Sequence, residues 1–213
     1  MNIAVIGANG RTGNRVVEEA LARGHHVRAG VHGVDNLTKA PELEVIQCDA
    51  TSKSDVTTLI SGCDVVISVI GHVKNSSRSM QTTAIGVVIE SMHQVGIRRL
   101  ISLTGTGVRW QGDKPSLIDK LLNRAVLLVD PARIVLLVDP ARIRDGIAHA
   151  TVIENSDLDW TIVRVLKLTN GKKRQAQPSD YGPASLFVSR ATVASVIVDV
   201  LEQGSYIRKL PVL

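Results

Sequence analysis

Aromatic residues are nearly missing: one Phe, two Trp and two Tyr make up 2% of 213 residues. The core must therefore be built from Val, Ile, Leu and Ala, a composition suited to parallel strands buried on both faces. Cysteine is equally scarce. Cys48 and Cys63 show no metal-ligand spacing and are expected as reduced thiols. No apolar run reaches the roughly 18 to 20 residues needed to span a bilayer. Met1-Asn2-Ile3 leads straight into aliphatic sequence, with no charged n-region and no cleavage site. The expectation is a cytoplasmic protein with no membrane partner. Nucleic acid is not expected either. The net charge of +5 suits a ligand carrying several phosphates equally well. The densest basic run, Lys172-Lys173-Arg174, has no aromatic neighbour on which a base could stack.

What is present is an alternation of strands and helices. The length suits one α/β domain spanning 1–213 and is too short for two full-size ones. Strands are expected at 2–6, 26–31, 44–48, 64–70, 99–103 and 160–165, with a short one at 206–210. Helices are expected near 16–21, closed by Gly24, and at 55–60, 80–95, 115 to about 129, 140–155 and 193–202. Such alternation implies parallel pairing through right-handed crossovers, hence a doubly wound, mostly parallel sheet with a small C-terminal substrate lobe. The stretch 171–184, with Gly, Pro, Lys and Gln, reads as a mobile loop over that lobe's pocket. The nonapeptide 126–134 recurs unchanged as 135–143. Nine residues inserted in a continuous helix would turn everything downstream by about 180°. Each copy carries Asp-Pro, a helix-start signal, so one copy opens the helix at Pro140 and the surplus copy is an extra helical segment or an extruded loop.

The chemistry is carried by Gly7-Ala8-Asn9-Gly10-Arg11-Thr12-Gly13, between the first strand and the first helix. Glycines here allow a sharp turn, close backbone approach to a pyrophosphate and tight packing of helix on strand. The helix N-terminus then presents free N–H groups and partial positive charge to phosphates. A nicotinamide dinucleotide is the expected ligand.

The spacing is Gly-x-x-Gly-x-x-Gly. With it stand Val45-Ile46-Gln47-Cys48-Asp49-Ala50, Asp64 to Gly71, Ile101-Ser102-Leu103-Thr104-Gly105, Leu158 to Arg164 and Leu168-Thr169-Asn170-Gly171. As an ordered set covering nearly the whole chain, these pieces resemble the atypical short-chain dehydrogenase/reductases. The likeness is to the branch holding NmrA-like proteins, NADH-flavin reductases and the biliverdin reductase B type. The resemblance implies that Asp49 and Ala50 lie beside the adenine, and that Gly71 and His72 pass close to the cofactor's middle. It places Ser102 and Thr104 near the nicotinamide, with the stretch from Val165 to Lys167 walling the ring's other side. Plainer readings stay open: Asp49 as a turn or cap residue and Gly71 as a strand terminator. The family often has Pro after Arg164, where this chain has Val165.

No acidic residue ends the second strand to accept a ribose 2′-hydroxyl, as an NAD site would use. Arg11 and His32 together are candidates for a 2′-phosphate, so the reading leans to NADP over NAD. The Tyr-x-x-x-Lys pair that sets up an acidic phenol for carbonyl chemistry is missing too: Tyr181 is followed at that spacing by Ser185, and Tyr206 by Leu210. This counts against epimerase-like or alcohol dehydrogenase chemistry. Flavin reduction asks mainly that two rings be stacked and oriented. The sequence therefore supports an NAD(P)H-dependent reductase of a flavin, quinone or similar planar acceptor. The alternative is an NmrA-like redox sensor with little turnover. Ser102, Lys167 and His149 are the catalytic candidates, each with a bland rival: a backbone-satisfying serine, a surface lysine and a solvent-facing helix histidine. A monomer and a homodimer both remain open.

Overall fold

The aliphatic runs form one parallel sheet, as a composition suited to burial on both faces requires. A computed structural model describes residues 1–73, 76–105, 108, 110–114 and 140–213. Strands β1 (Asn2–Ile6), β2 (His26–Val31), β3 (Leu43–Gln47), β4 (Val65–Ser68), β5 (Arg99–Gly105) and β6 (Asp159–Val165) lie in the order β3-β2-β1-β4-β5-β6. All five pairings are parallel, and Ile3 lies level with Val27 on one side and Val65 on the other. The strand order reverses between β1 and β4. Open α/β sheets leave a crevice at that point, above the carboxyl ends of the strands.

Successive side chains of a strand point to opposite faces, so β1 feeds two cores. Ile3 and Val5 pack with Val16, Val17 and Ala20 of helix α1 (Arg11–Ala22) and with Val193 and Ile197 of α5 (Arg190–Glu202). Ala4 and Ile6 pack with Leu59 of α2 (Lys53–Ile60), Ile85 and Val88 of α3 (Met80–Val95) and Ile153 of α4 (Pro140–Glu154).

The six principal strands and the helices at 80–95 and 140–155 agree with the sequence reading to within a few residues. The helix expected at 115–129 and the first copy of the duplicated nonapeptide lie outside the described residues, while residues 140–143 of the second copy open α4. Two helices start earlier than expected because serine caps them. Ser52 Oγ accepts from Asp55 N at the head of α2, and Ser189 Oγ from Thr192 N at the head of α5. The strand expected at 206–210 does not form. Tyr206 and Arg208 take φ values of 55° and 54°, which break an extended pleat. The chain still runs beside β6, joined to it by isolated bridges at Lys209 and Val212 and by bonds such as Arg208 N to Trp160 O (2.6 Å). Within the stretch 171–184, Arg174 N donates to Thr192 Oγ1 (2.9 Å) and Lys173 Nζ meets Glu19 Oε1 (3.1 Å) on the α1–α5 face, while Ser179 N donates to Val212 O (2.9 Å) and Tyr181 O accepts from Lys114 N (2.8 Å). A two-stranded ribbon not foreseen from sequence, β7 (Leu168–Thr169) with β8 (Val188–Ser189), links β6 to α5.

Candidate functional site

The turn after β1 is shaped by its glycines. Gly7 has φ +82°, a left-handed conformation that side chains disfavour, and a Cβ there would press within 3.2 Å of Val69 O. Gly13 is tighter still. A Cβ on it would lie 2.1 Å from Gly7 O and 2.8 Å from Ala8 Cα, so only glycine lets α1 sit this close to the turn. Gly10, the N-cap of α1, brings no capping side chain. The first amides of a helix have no partner within it. With no side-chain cap, those of Arg11 to Gly13 and the helix's positive end are left for a ligand at the switch point.

A groove of about 470 Å³ opens beside this turn. Gly7, Asn9, Gly10, His32, Asp49, Ala50 and Gly71, all singled out from the sequence, line it together. Asn9 does not block it. Its side chain donates from Nδ2 to Val34 O (2.6 Å) and accepts at Oδ1 from Asn36 N (3.1 Å), pinning the loop after β2 as one wall. Asp49 serves in a turn and lines the groove at once. Its Oδ1 accepts from Thr51 Oγ1 (2.7 Å) and Thr51 N (2.8 Å). Those bonds, with His32 nearby, hold its carboxyl below the ordinary aspartate value. Cys48, Thr51, Val73, Ser76 and Met80 also line the groove and were not foreseen. The Cys48 thiol is pushed up to about 11 by burial and by Asp55 and Asp49, which makes it a packing group rather than a nucleophile.

Arg11 and His32, paired in the sequence reading, face different charges. His32 acts on Asp49, whereas exposed Arg11 acts on Arg190 at the head of α5. Thr12 and Gly13 lie behind the turn, with Thr12 9% exposed.

Beyond the switch point, β4, β5 and α4 bring a second set together. Ser102, 1% exposed, donates from Oγ to Ser68 O (3.3 Å) and lies 3.2 Å from His149 Nε2. The solvent-facing reading of His149 is thereby corrected: it is 4% exposed. Its pKa is lowered to about 4 by burial, a shift that Asp145 partly offsets. Nδ1 of His149 meets no partner among the described residues. One helical turn back, Asp145 accepts from Gln81 N (2.9 Å), Thr82 N (3.1 Å) and the Thr82 hydroxyl, and its Oδ2 lies 2.9 Å from His72 Nε2. It thus caps α3 from another helix. His72 in turn meets Ser76 Oγ through Nδ1 (3.1 Å), bracing the groove wall. Sequence reasoning missed Asp145, although its four-residue spacing from His149 places both on one helix face.

Thr104 is buried and packs on α4, where a Cβ on Gly146 would lie 3.4 Å from its Oγ1. Val165 is buried as the last residue of β6, level with Gly105. Lys167 stands apart from Ser102 and His149. It is exposed, with Nζ 5.5 Å from the centre of the Phe187 ring. Arg164 is 1% exposed and structural: its two terminal nitrogens pair with Asp113 (2.6 and 2.7 Å) and its Nε donates to Leu210 O. Among the described residues no cluster of three or more metal-ligating side chains occurs, and no helix is long and apolar enough to cross a membrane.

A sequence profile of the family described as NAD(P)H-binding matches residues 7–204. Over 66 residues the chain is 36% identical to the chloroplastic Arabidopsis thaliana protein At2g34460, which is uncharacterised; the match takes in 29% of this chain and 24% of that protein's length. Among solved structures, a Veillonella parvula short-chain dehydrogenase/reductase superposes with a TM-score of 0.79 at 16% identity, covering 99% of this chain and 92% of that one. Another from the same organism, in complex with NADP, gives 0.77 at 15% identity over 99% and 92%. A Streptococcus pneumoniae protein provisionally named an NADH-flavin reductase gives 0.76 at 22% identity, covering 100% and 98%. These structural likenesses share the doubly wound fold.

Proposed function

The chain belongs to the NAD(P)H-binding family, and on that premise we propose that it is an NAD(P)H-dependent reductase of a flavin, quinone or similar planar acceptor. One observation carries the reading. Gly13 packs where no Cβ fits, and α1 begins without a side-chain cap beside a groove lined by the turn's own residues. That is the geometry a diphosphate bridge needs.

The residues present fit the dinucleotide. The amides from Arg11 to Gly13 would hold its diphosphate. Asp49 and Ala50 would flank the adenosine, and Gly71 leaves space where a Cβ would meet nothing within 4 Å. When bound, the reduced nicotinamide supplies a hydride to an acceptor stacked against it. The chain's own part is positional. The loop braced by His72 and Asp145 keeps the groove wall in place, and Thr104 and Val165 close the carboxyl ends of β5 and β6. Ser102 and His149 are buried and hydrogen-bonded to each other. The lean to NADP rests on the residues just after β2, His32-Gly33, which carry no carboxylate.

The second reading, a dinucleotide sensor with little turnover, is favoured by that burial, because neither Ser102 nor His149 is exposed to give or take a proton. Titration with NADPH and NADH separately, followed by addition of FMN while nicotinamide absorbance is recorded, separates the two. Steady oxidation supports the reductase. Tight binding with no turnover across flavins and quinones supports the sensor. Failure to bind either dinucleotide overturns both.

A further inference from the structure

One line of polar side chains has no part in hydride transfer beyond bracing a wall. It begins at Asp145 in the first turns of α4 and ends at Ser76 in the loop before α3. The Asp145 side chain is 1% exposed and that of His72 8%, with Oδ2 lying 2.9 Å from Nε2. On the far side of the ring, His72 Nδ1 lies 3.1 Å from Ser76 Oγ. Of the three residues only Ser76 lines the groove.

The carboxylate sets the place of the proton. An ionised aspartate accepts hydrogen bonds and has none to donate. Asp145 already accepts from two amides and a hydroxyl. Beside it Nε2 carries the ring hydrogen, which leaves the lone pair on Nδ1, towards Ser76. The contact at Nε2 is bent, with the N–H off the line to the carboxylate. Such contacts often straighten only once a substrate is held. The Ser76 hydroxyl also reaches Val73 O (3.0 Å), so it has two acceptors, a carbonyl and an imidazole.

A nucleophile within reach of a base that a third group orients is the mark of nucleophilic catalysis, recognised by geometry and not by order in the chain. The groove supplies the rest. Ile6, Val69, Ile70, Val73 and Met80 give it an apolar side. The amides at the head of α1, without a side-chain cap, are donors for a developing oxyanion.

We propose that Ser76, His72 and Asp145 form a nucleophilic triad that hydrolyses short-chain carboxylic esters when the groove holds no dinucleotide. Ser76 Oγ attacks the ester carbonyl carbon while its proton passes to His72 Nδ1. The carbon–oxygen bond to the alcohol then breaks, and that proton leaves with the alcohol. Water, deprotonated by the same nitrogen, attacks the acyl-serine, releasing the carboxylic acid and restoring the hydroxyl. No oxidant or reductant is consumed. This activity is separate from hydride transfer and stands whether or not the protein is a reductase.

A fluorophosphonate probe with peptide mass mapping reads the nucleophile, and p-nitrophenyl acetate reads turnover. The wild type is expected to take the label on Ser76 and to release p-nitrophenol catalytically. His72→Gln is expected to slow labelling by about a hundredfold, the lower end of what a positioned base contributes, with the melting temperature recorded to establish folding. Ser76→Ala is expected to lose label and turnover together. In protein shown to bind NADP⁺, saturation with it is expected to suppress labelling, since both ligands need the groove. An unlabelled Ser76 in the wild type overturns the proposal. So does a folded His72→Gln protein that labels at the wild-type rate, turnover that survives Ser76→Ala, label without turnover, or labelling that bound NADP⁺ leaves unchanged.

Discussion

The N-termini of α1 and α3 lie on either side of the switch point and are treated in opposite ways. At α3, a buried carboxylate from a different helix takes up the amides of Gln81 and Thr82. At α1, a glycine stands in the capping position and supplies nothing. Ser52 and Ser189 cap two further helices from their own side chains. A helix end without partners is a liability in an ordinary fold. Where neighbouring helices are served and the one facing the groove is not, the difference marks an end kept for a ligand.

The comparison breaks most completely at Gly13. Gly13→Val forces a Cβ into a space 2.1 Å from Gly7 O, where only backbone can give way. The turn must open, and dinucleotide binding is expected to vanish in calorimetric titration, with a large fall in melting temperature. On the α3 side, Asp145→Ala strips a buried cap and leaves His72 without its carboxylate. The amides of Gln81 and Thr82 then lose their acceptor, and a buried donor left unsatisfied costs about 1–3 kcal/mol, which urea unfolding should show. Dinucleotide affinity should fall as well, because His72 and Ser76 brace the groove wall.

Acid sharpens the same contrast, since the served end depends on charge. Burial raises the Asp145 carboxyl, but bonds from Thr82 and from the Gln81 and Thr82 amides outweigh it, leaving the pKa below the ordinary value. A depressed folded pKa gives stability that is present above the unfolded value and lost as pH falls through the folded one. His149 behaves likewise in a higher window. Folded, it titrates at about 4, and unfolded at roughly 6.5. Between those values the unfolded chain takes up the proton first. Stability is expected to decline by the order of 2–3 kcal/mol as pH drops across that window. His149→Gln should flatten that decline in urea titrations at pH 7 and 4.5; an unchanged slope would show that this imidazole is not the group involved.

The fold was legible because its signals are local. Aliphatic runs such as Val65 to Ser68, and the turn beginning at Gly7, declare themselves without reference to distant residues. The groove's glycines, Asn9 and Asp49 were legible for the same reason. The Asp145 cap was not, because its partners Gln81 and Thr82 are more than sixty residues away in sequence, and nothing near Asp145 announces them. Burial of His149 was hidden similarly: it depends on Ser102 and on which face of α4 meets the sheet. The strand expected at 206–210 failed on backbone conformation, since apolar pattern does not reveal a left-handed Tyr206 or Arg208.

Two smaller substitutions separate capping from ligand binding. Gly10 has φ −72° and ψ 159°, a conformation open to any residue, although a Cβ would stand 3.1 Å from Gly7 O. Gly10→Asp gives α1 the cap it lacks and a carboxylate at its positive end, together worth about 0.3–1 kcal/mol. The melting temperature should hold or rise slightly, while the like charge set against a diphosphate weakens dinucleotide binding by about tenfold or more. Ser52→Ala is the converse. It removes an ordinary cap from α2, at a cost of about 1 kcal/mol in thermal or urea unfolding. Dinucleotide affinity should not move, because Ser52 is outside the groove lining. If Gly10→Asp binds the dinucleotide as well as the wild type, the uncapped end of α1 is not where the phosphates lie, and the contrast between the two helix ends loses its functional meaning.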